Sequence, residues 1–344
     1  MINGKGLLIM SLSNVEISKK LYPETKQVQA VLDSDTFNEV DDQFALAYAA
    51  ASKERIDLKA VYAAPFLNAL VNTEVEGMIA SFNEIKKILK IIKREDIPVF
   101  KGSDHYLSDK QQPIKSPAAL DLIQRVLSMP DGESLHVISI GAPTNLASAL
   151  LIEPKIADKI VITWLGGQPL SWPQTWEFNL MQDMIASKML FETPVPLTLI
   201  PCMSVASGLI TSSLELDHYI KGKSKIGTYL TNVVENFRGN AEDFKSYNAI
   251  VKKYMDGTND FDADQFENSY DPDRYAWSKV IWDISTVASL VNPSWANSKL
   301  TSAPTLTDDF TWDLSIKKHP IRVVSYLNRD AIFGDLFYKI NSFE

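Results

Sequence analysis

Between Val31 and Ser52 the chain reads "VLDSDTFNEVDDQFALAYAAAS". Asp33, Asp35, Asp41 and Asp42, with Glu39 among them, fall in one short stretch whose two flanks are apolar. Carboxylates this close repel one another and raise each other's pKa. Set between segments that read as buried, they need protons or a cation. A hard divalent cation with oxygen ligands is the economical solution. A plainer reading of the same residues stays open. Asp41 and Asp42 can sit in the first turn of a helix, where the dipole favours each acid by ~0.3–1 kcal/mol, while Asp33 and Asp35 form a turn.

The elements that must position these residues follow from the alternation of apolar and helical patterns. β-branched, apolar runs at 29–35, 58–66, 97–102, 135–143, 159–167 and 196–202 read as strands. Helical spacing fills 41–52, 73–93, 116–129, 144–151 and 180–192 between them. Strand and helix in alternation imply right-handed crossovers and a mainly parallel sheet with helices on both faces. Unbroken apolar strands fit a sheet covered on both sides. Beyond residue 210 helices dominate, at 214–238, 241–255 and 277–291, with an acidic loop at 256–273; a strand at 321–327 and a helix at 330–341 follow. The expected organisation is an N-terminal arm, 1–26, and one α/β domain, 27–344, with a Rossmann-like core and a helical C-terminal elaboration. Ligands of such sheets bind beyond the carboxyl ends of the strands. Asp33, Asp35, Pro65, Asn68, Thr144, Asn145, Gly166 and Gly167 all follow predicted strand ends and should converge.

Composition narrows the class. The chain has 344 residues, 45% of them hydrophobic, and a net charge of −9, which suits an enzyme acting on small molecules better than a nucleic-acid binder with its basic stripe. Cys202 is the single cysteine, so an internal disulfide is excluded; it reads as an inert core thiol or, less simply, as a nucleophile. No run reaches the ~18 apolar residues of a membrane span, and the N-terminus lacks a signal-peptide pattern, so the expected location is cytoplasmic. Of the four histidines, His105 follows the third predicted strand and lies nearest the expected mouth. Trp164, Trp172 and Trp176 crowd the stretch "TWLGGQPLSWPQTWEF", either as a wall for a flat ligand or as a packed loop.

The acidic stretch, read further as "DSDTFNEVDDQFAL", is similar to the N-terminal signature of the nucleoside hydrolase family, D-x-D-P-G-x-D-D-x-x-A, with two extra residues and without the Pro-Gly. "GAPTNLASAL" (141–150), "WEFNLMQD" (176–183) and "IWDISTVASLV" (281–291) resemble, in order, the family's G-P-L-T-N-L-A, A-E-F-N-x-x-x-D and H-D-x-x-A stretches. The resemblance implies a calcium ion, Ca2+, held by the carboxylates of Asp35, Asp42 and Asp283 and the backbone carbonyl of Thr144. It implies Asp35 as general base and Asp41, Glu177 and Asn179 as sugar-hydroxyl contacts, with Asn68 a further candidate from its position. Glu177 and Asn179 also read simply as the start of a helix. Asp33 reads as a second layer behind the metal or as a turn residue, and Asn38 and Glu39 as extra ligands or braces.

The implied reaction is hydrolysis of the N-glycosidic bond of a nucleoside or related riboside, with a homodimer or homotetramer as the family's habit. Trp282 stands where the best-known members have the histidine that helps protonate the leaving base. Indole can stack on a base but cannot act as an acid. That keeps open a catalytically altered nucleoside- or ribose-binding protein. An aspartate-based phosphotransferase is a third reading, disfavoured because Phe37 stands where its motif has Thr or Val.

Overall fold

The structure, a computed structural model, describes residues 12–109, 112–237 and 278–343. Its centre is an eight-stranded sheet in the order β3-β2-β1-β4-β5-β6-β12-β9. The strands are β1 (Val28–Ser34), β2 (Ile56–Ala63), β3 (Val99–Lys101), β4 (Leu135–Ser139), β5 (Ile160–Leu165), β6 (Leu197–Ile200), β9 (Ala296–Ser302) and β12 (Pro320–Leu327); β10 (Thr305–Leu306) and β11 (Trp312–Asp313) form a separate antiparallel pair. All neighbours run parallel except β9, which pairs antiparallel with β12 at the edge. Strand order reverses between β1 and β4, and the crevice of a doubly wound sheet opens at that switch point.

Alternate residues of each strand enter two separate cores, as the pleat requires. Val31, Val137, Ile162, Leu199 and Val323 face one layer, with Trp164 at its heart. Leu32, Ile138, Leu165, Ile200 and Val324 face the other. Helices α2 (Asp42–Ala51), α3 (Glu74–Ile91), α4 (Pro117–Ser128) and α5 (Thr144–Ile152) follow β1 to β4 one by one, as the alternation predicts. Caps set several boundaries. Thr73 accepts from the amide of Glu76, and Ser116, ahead of Pro117, accepts from that of Ala119.

Three expected helices differ in detail. The segment 180–192 is two helices, α6 (Phe178–Gln182) and α7 (Met184–Glu192), because Asp183, at φ −132° and ψ 86°, leaves the helical region and caps the second. The segment 214–238 is α8 (Ser213–Tyr219) and α9 (Lys225–Phe237), parted by a turn with Gly222 at φ +75°. The segment 277–291 starts as a strand: β7 (Ile210–Ser212) pairs with β8 (Ser278–Val280), and only Ile284–Val291, α10, is helical. The helix expected at 241–255 and the acidic loop 256–273 lie outside the described residues. The last helix, α11, runs Arg329–Asn341. Among the elements with no sequence expectation are the edge strand β9 and a short capped helix, α1 (Asn14–Lys20), in the arm, which pins itself by burying Ile17.

The carboxyl ends of β1, β2 and β3 are held in register by one side chain. Asn145, in the first turn of α5, donates to Asp33 (2.8 Å) and to the Ala63 carbonyl (3.4 Å), and accepts from the amide of Ser103 (2.7 Å). Gly102 leaves the space this needs, since a methyl there would overlap the Ala63 carbonyl and the Asn145 amide. Gly102→Ala should therefore lower stability by about 1–3 kcal/mol. Gly208→Ala, whose methyl meets open space, should stay within ~0.5 kcal/mol; urea unfolding midpoints of the two variants check the pair.

Candidate active site

Five acids gather at the switch point. Asp33 is the penultimate residue of β1, Asp35 follows the strand, Asp41 and Asp42 open α2, and Asp283 precedes α10. All five are nearly inaccessible to solvent. Carboxylate oxygens of Asp41, Asp42 and Asp283 lie within 4.8 Å of one another. Asp35 is the neighbour whose charge, after burial, is felt together with theirs.

Each acid is held differently. Asp42 accepts from the Ser34 hydroxyl at 2.6 Å. Asp41 receives the backbone amides of Trp282 and Asp283, which ties the start of α2 to the turn before α10. Asp33 accepts from Asn145 through one oxygen only. Both oxygens of Asp35 are buried without a hydrogen-bond partner. Such atoms are costly to leave unsatisfied.

The electrostatics follow. Burial pushes Asp33 up to about 7, Asp41 to about 6 and Asp42 to about 8. Asp35 and Asp283 are raised well above the carboxylate range, first by burial and then by their acidic neighbours. Without a cation the cluster has to bind protons. Oxygens at the ~2.3–2.6 Å of a calcium sphere lie at most about 5 Å apart across it, and the observed spread of 4.8 Å falls within that. With the unpartnered oxygens of Asp35 beside them, the donors suit a hard, oxygen-preferring cation.

The other expected residues lie around this centre. Thr144 begins α5, and its hydroxyl donates to Asp183 at 2.8 Å. Asp183 also accepts from the amides of Leu107 (2.9 Å) and Ala186 (2.9 Å), so it joins three loops behind the acids. Glu177 is buried at the N-terminus of α6; burial pushes it up to about 7, although it accepts from the amides of Gly167, Asn179 and Leu180. Asn179 donates to the carbonyls of Ile140 and Leu165, bridging the ends of β4 and β5. Both side chains thus already brace backbone: Glu177 caps the start of α6, whereas Asn179, inside its first turn, ties strand ends and caps nothing. Asn68 donates to Asn38 and so joins the loop after β2 to the loop after β1. Trp282 is half-buried, packed against the core beside Asp283. Trp164 is fully buried and donates to the Gly141 carbonyl, while Trp176 packs edge-on against Phe310. His105 points outward to Asp104. Cys202 is buried, and burial raises its thiol well above the usual range, with Glu177 and Asp41 adding to the rise.

Residues outside the expected set also reach the site. Tyr106, next to His105, turns inward instead: its hydroxyl bonds Gln182, and the charge of Asp35 is among the causes that raise its pKa. Gln182 in turn bonds the amide and carbonyl of Leu67. Lys279, on β8, is buried and ion-paired with Glu39 while feeling Asp283. In sequence Lys279 looks like one more surface lysine; only the β7–β8 pairing carries it inward. Tyr106 shared its strand-end loop with His105, and position alone did not separate the two.

A doubly wound sheet with buried acids at its switch point is the frame of a metal-dependent hydrolase. The chain belongs to the inosine-uridine preferring nucleoside hydrolase family, whose sequence profile matches residues 30–333. Members are N-ribosyl hydrolases, and the family is metal-dependent. No curated protein sequence matches the chain. Among solved structures, a plant nucleoside hydrolase is similar at TM-score 0.67 and 20% identity, over 92% of this chain and 99% of that one. A purine-preferring ribonucleoside hydrolase from Gardnerella vaginalis is similar at TM-score 0.67 and 17% identity, over 92% and 98%. The type III effector protein XopQ, in a complex with adenosine diphosphate ribose, is similar at TM-score 0.63 and 15% identity, over 96% and 99%. At these identities the likeness is one of fold. Among the described residues no helix is long and apolar enough to cross a membrane.

The raised acids give a pH signature. A carboxyl whose folded pKa exceeds its unfolded value near 3.8 stabilises the fold while protonated, and that stability is lost as pH rises through the folded value. For Asp41, Asp33 and Asp42 the window runs from about 4 to about 8. The melting temperature of chelator-treated protein should fall across that window, and saturating calcium should flatten the decline. A melting temperature that climbs over the same range without metal would contradict the cluster's electrostatics.

Proposed function

We propose that the protein is a calcium-dependent hydrolase of the N-glycosidic bond of a nucleoside or related riboside. The observation that carries this reading is the meeting of Asp41, Asp42 and Asp283 beside the unpartnered carboxylate of Asp35. In this reading Asp35, Asp42, Asp283 and the Thr144 carbonyl hold the ion, and Asp41 lies close enough to join them. When bound, the cation supplies a Lewis-acid centre that favours ionisation of water and draws sugar hydroxyls toward it.

The chain's own groups do the rest. Asp35 accepts the proton of the attacking water on one of its two available oxygens. Asp33, anchored by Asn145, sits behind it and keeps the strand end from shifting. Bond cleavage develops positive charge at the anomeric carbon, and a pocket of carboxylates favours that charge. Asp41, Glu177 and Asn179 are the sugar contacts in this reading, with Asn68 at the rim. Glu177 and Asn179 would do this with the lone pairs and protons that their backbone bonds leave over. Trp282 offers a face for a flat leaving group. The cytoplasmic location and the homo-oligomeric state belong to the same proposal.

A second reading, a nucleoside- or ribose-binding protein with little turnover, draws support from Trp282 in the histidine's position. The fold-level likeness to an effector holding adenosine diphosphate ribose points the same way.

The two readings separate on a panel of nucleosides assayed for reducing sugar with and without EDTA. Release that stops on chelation and returns with calcium supports the hydrolase; saturable ribose binding without release supports the binding protein. Asp35→Asn should cut turnover by ~10²-fold or more while the variant stays folded by circular dichroism. Asp283→Ala should weaken calcium binding in a calorimetric titration, and an unchanged titration would remove Asp283 from the site.

A further inference from the structure

Strands of a parallel sheet buried on both faces should be apolar almost throughout. On the face that carries Leu32 and Ile138, four residues break that rule together. His136 on β4, Thr163 on β5, Thr198 on β6 and Arg322 on β12 follow one another across neighbouring strands. The register pairs His136 with Val161, two residues before Thr163, then Thr163 with Thr198, and Thr198 with Arg322. All four line one cavity of about 60 Å³. At about 30 Å³ per water, that is room for a couple of waters or one small ion in their place.

The cavity has a fixed roof, made by Lys20 at the end of α1 and the stretch that follows it to Glu24. Arg322 donates from Nε to the Leu21 carbonyl (2.7 Å), and Arg55 donates to the carbonyls of Glu24 (2.6 Å) and Lys26 (2.8 Å). The roof is therefore tied down from two sides. His136 is 7% exposed, and its Nδ1 is buried with no hydrogen-bond partner. Lys20 commits one N–H to Ser134, and Arg322 commits Nε to Leu21 and Nη1 to Ser298, which leaves each cation further donors. Burial disfavours the charge on both Lys20 and Arg322. Of the charged lining residues, Lys20 and Arg322 are basic and Glu24 alone is acidic.

We propose that this cavity is a second binding site, remote from the acid cluster, for a small oxyanion of the phosphate class. Lys20 and Arg322 supply charge-assisted donors, the Thr163 and Thr198 hydroxyls supply neutral ones, and His136 completes the floor. His136 is the second residue of β4, so the site lies toward the amino ends of the strands, away from the hydrolytic centre.

The test is a calorimetric titration of the full chain with inorganic phosphate, followed in parallel through the ring resonances of 15N-labelled His136. Saturable binding that shifts His136, absent with sodium chloride at matched ionic strength, is the expected result. Lys20→Met and Thr198→Val should each weaken phosphate, the first by at least about tenfold, and Asp283→Ala should leave the titration unchanged. If Lys20→Met does not fold, the near-isosteric Thr198→Val decides alone. The proposal is overturned if phosphate leaves His136 unmoved, if Thr198→Val titrates like the parent, or if Asp283→Ala abolishes the binding.

Discussion

Mutual repulsion among buried carboxylates is the constraint on which the rest of the structure depends. Asp35, Asp41, Asp42 and Asp283 sit out of contact with water, where a naked charge costs several kcal/mol even after the protein relaxes. No arrangement of hydrogen bonds among the described residues removes that cost. Ser34 satisfies part of Asp42, and two amides satisfy Asp41, yet Asp35 has nothing. A fold stable enough to carry this arrangement has to gain its stability elsewhere, and the two large cores flanking the sheet are where it does so.

Holding such a cluster together takes rigid attachment from several directions. Asn145 ties the ends of three strands, Asn179 ties two, and Asp183 joins α5, α7 and the loop before Leu107. Lys279 is the complement on the far side. It pairs with Glu39, two residues before Asp41, and lies four residues before Asp283. The ion pair therefore spans the two segments, remote in sequence, that bring acids to the centre. Removing Lys279 would leave Glu39 without its cation beside a crowd of acids, which makes the pair a device for register more than a source of net stability.

The frame of the fold was legible because the strands are apolar, end in Gly, Pro or Asp, and alternate with helical spacing. What escaped was local competition. A run such as 277–291 carries helical spacing throughout, yet Ser278–Val280 pairs with β7, and no periodicity within 277–291 reveals a partner about seventy residues earlier. Asp183 and Gly222 broke helices through backbone geometry that an apolar pattern does not encode. At the site, Asp33, Asp35, Asp41 and Asp42 were legible from their density, and Asp283 only through the family resemblance. The bracing roles of Asn179 and Asn68 were not, because an amide after a strand end can face a ligand or its own backbone equally well.

The leaving group shows how far the geometry constrains the chemistry. With an indole at position 282, no imidazole stands beside Asp283 to donate a proton, and His105 faces solvent. Tyr106 feels the charge of Asp35, but burial and that same negative charge hold its proton firmly, and its hydroxyl already donates to Gln182. A group so reluctant to ionise is a poor acid. In the proposed hydrolase, the described residues would therefore stabilise the sugar's developing charge more than activate the base. Discrimination would then fall to the shape of the rim, where Asn68–Asn38 and Gln182–Leu67 tie the surrounding loops together.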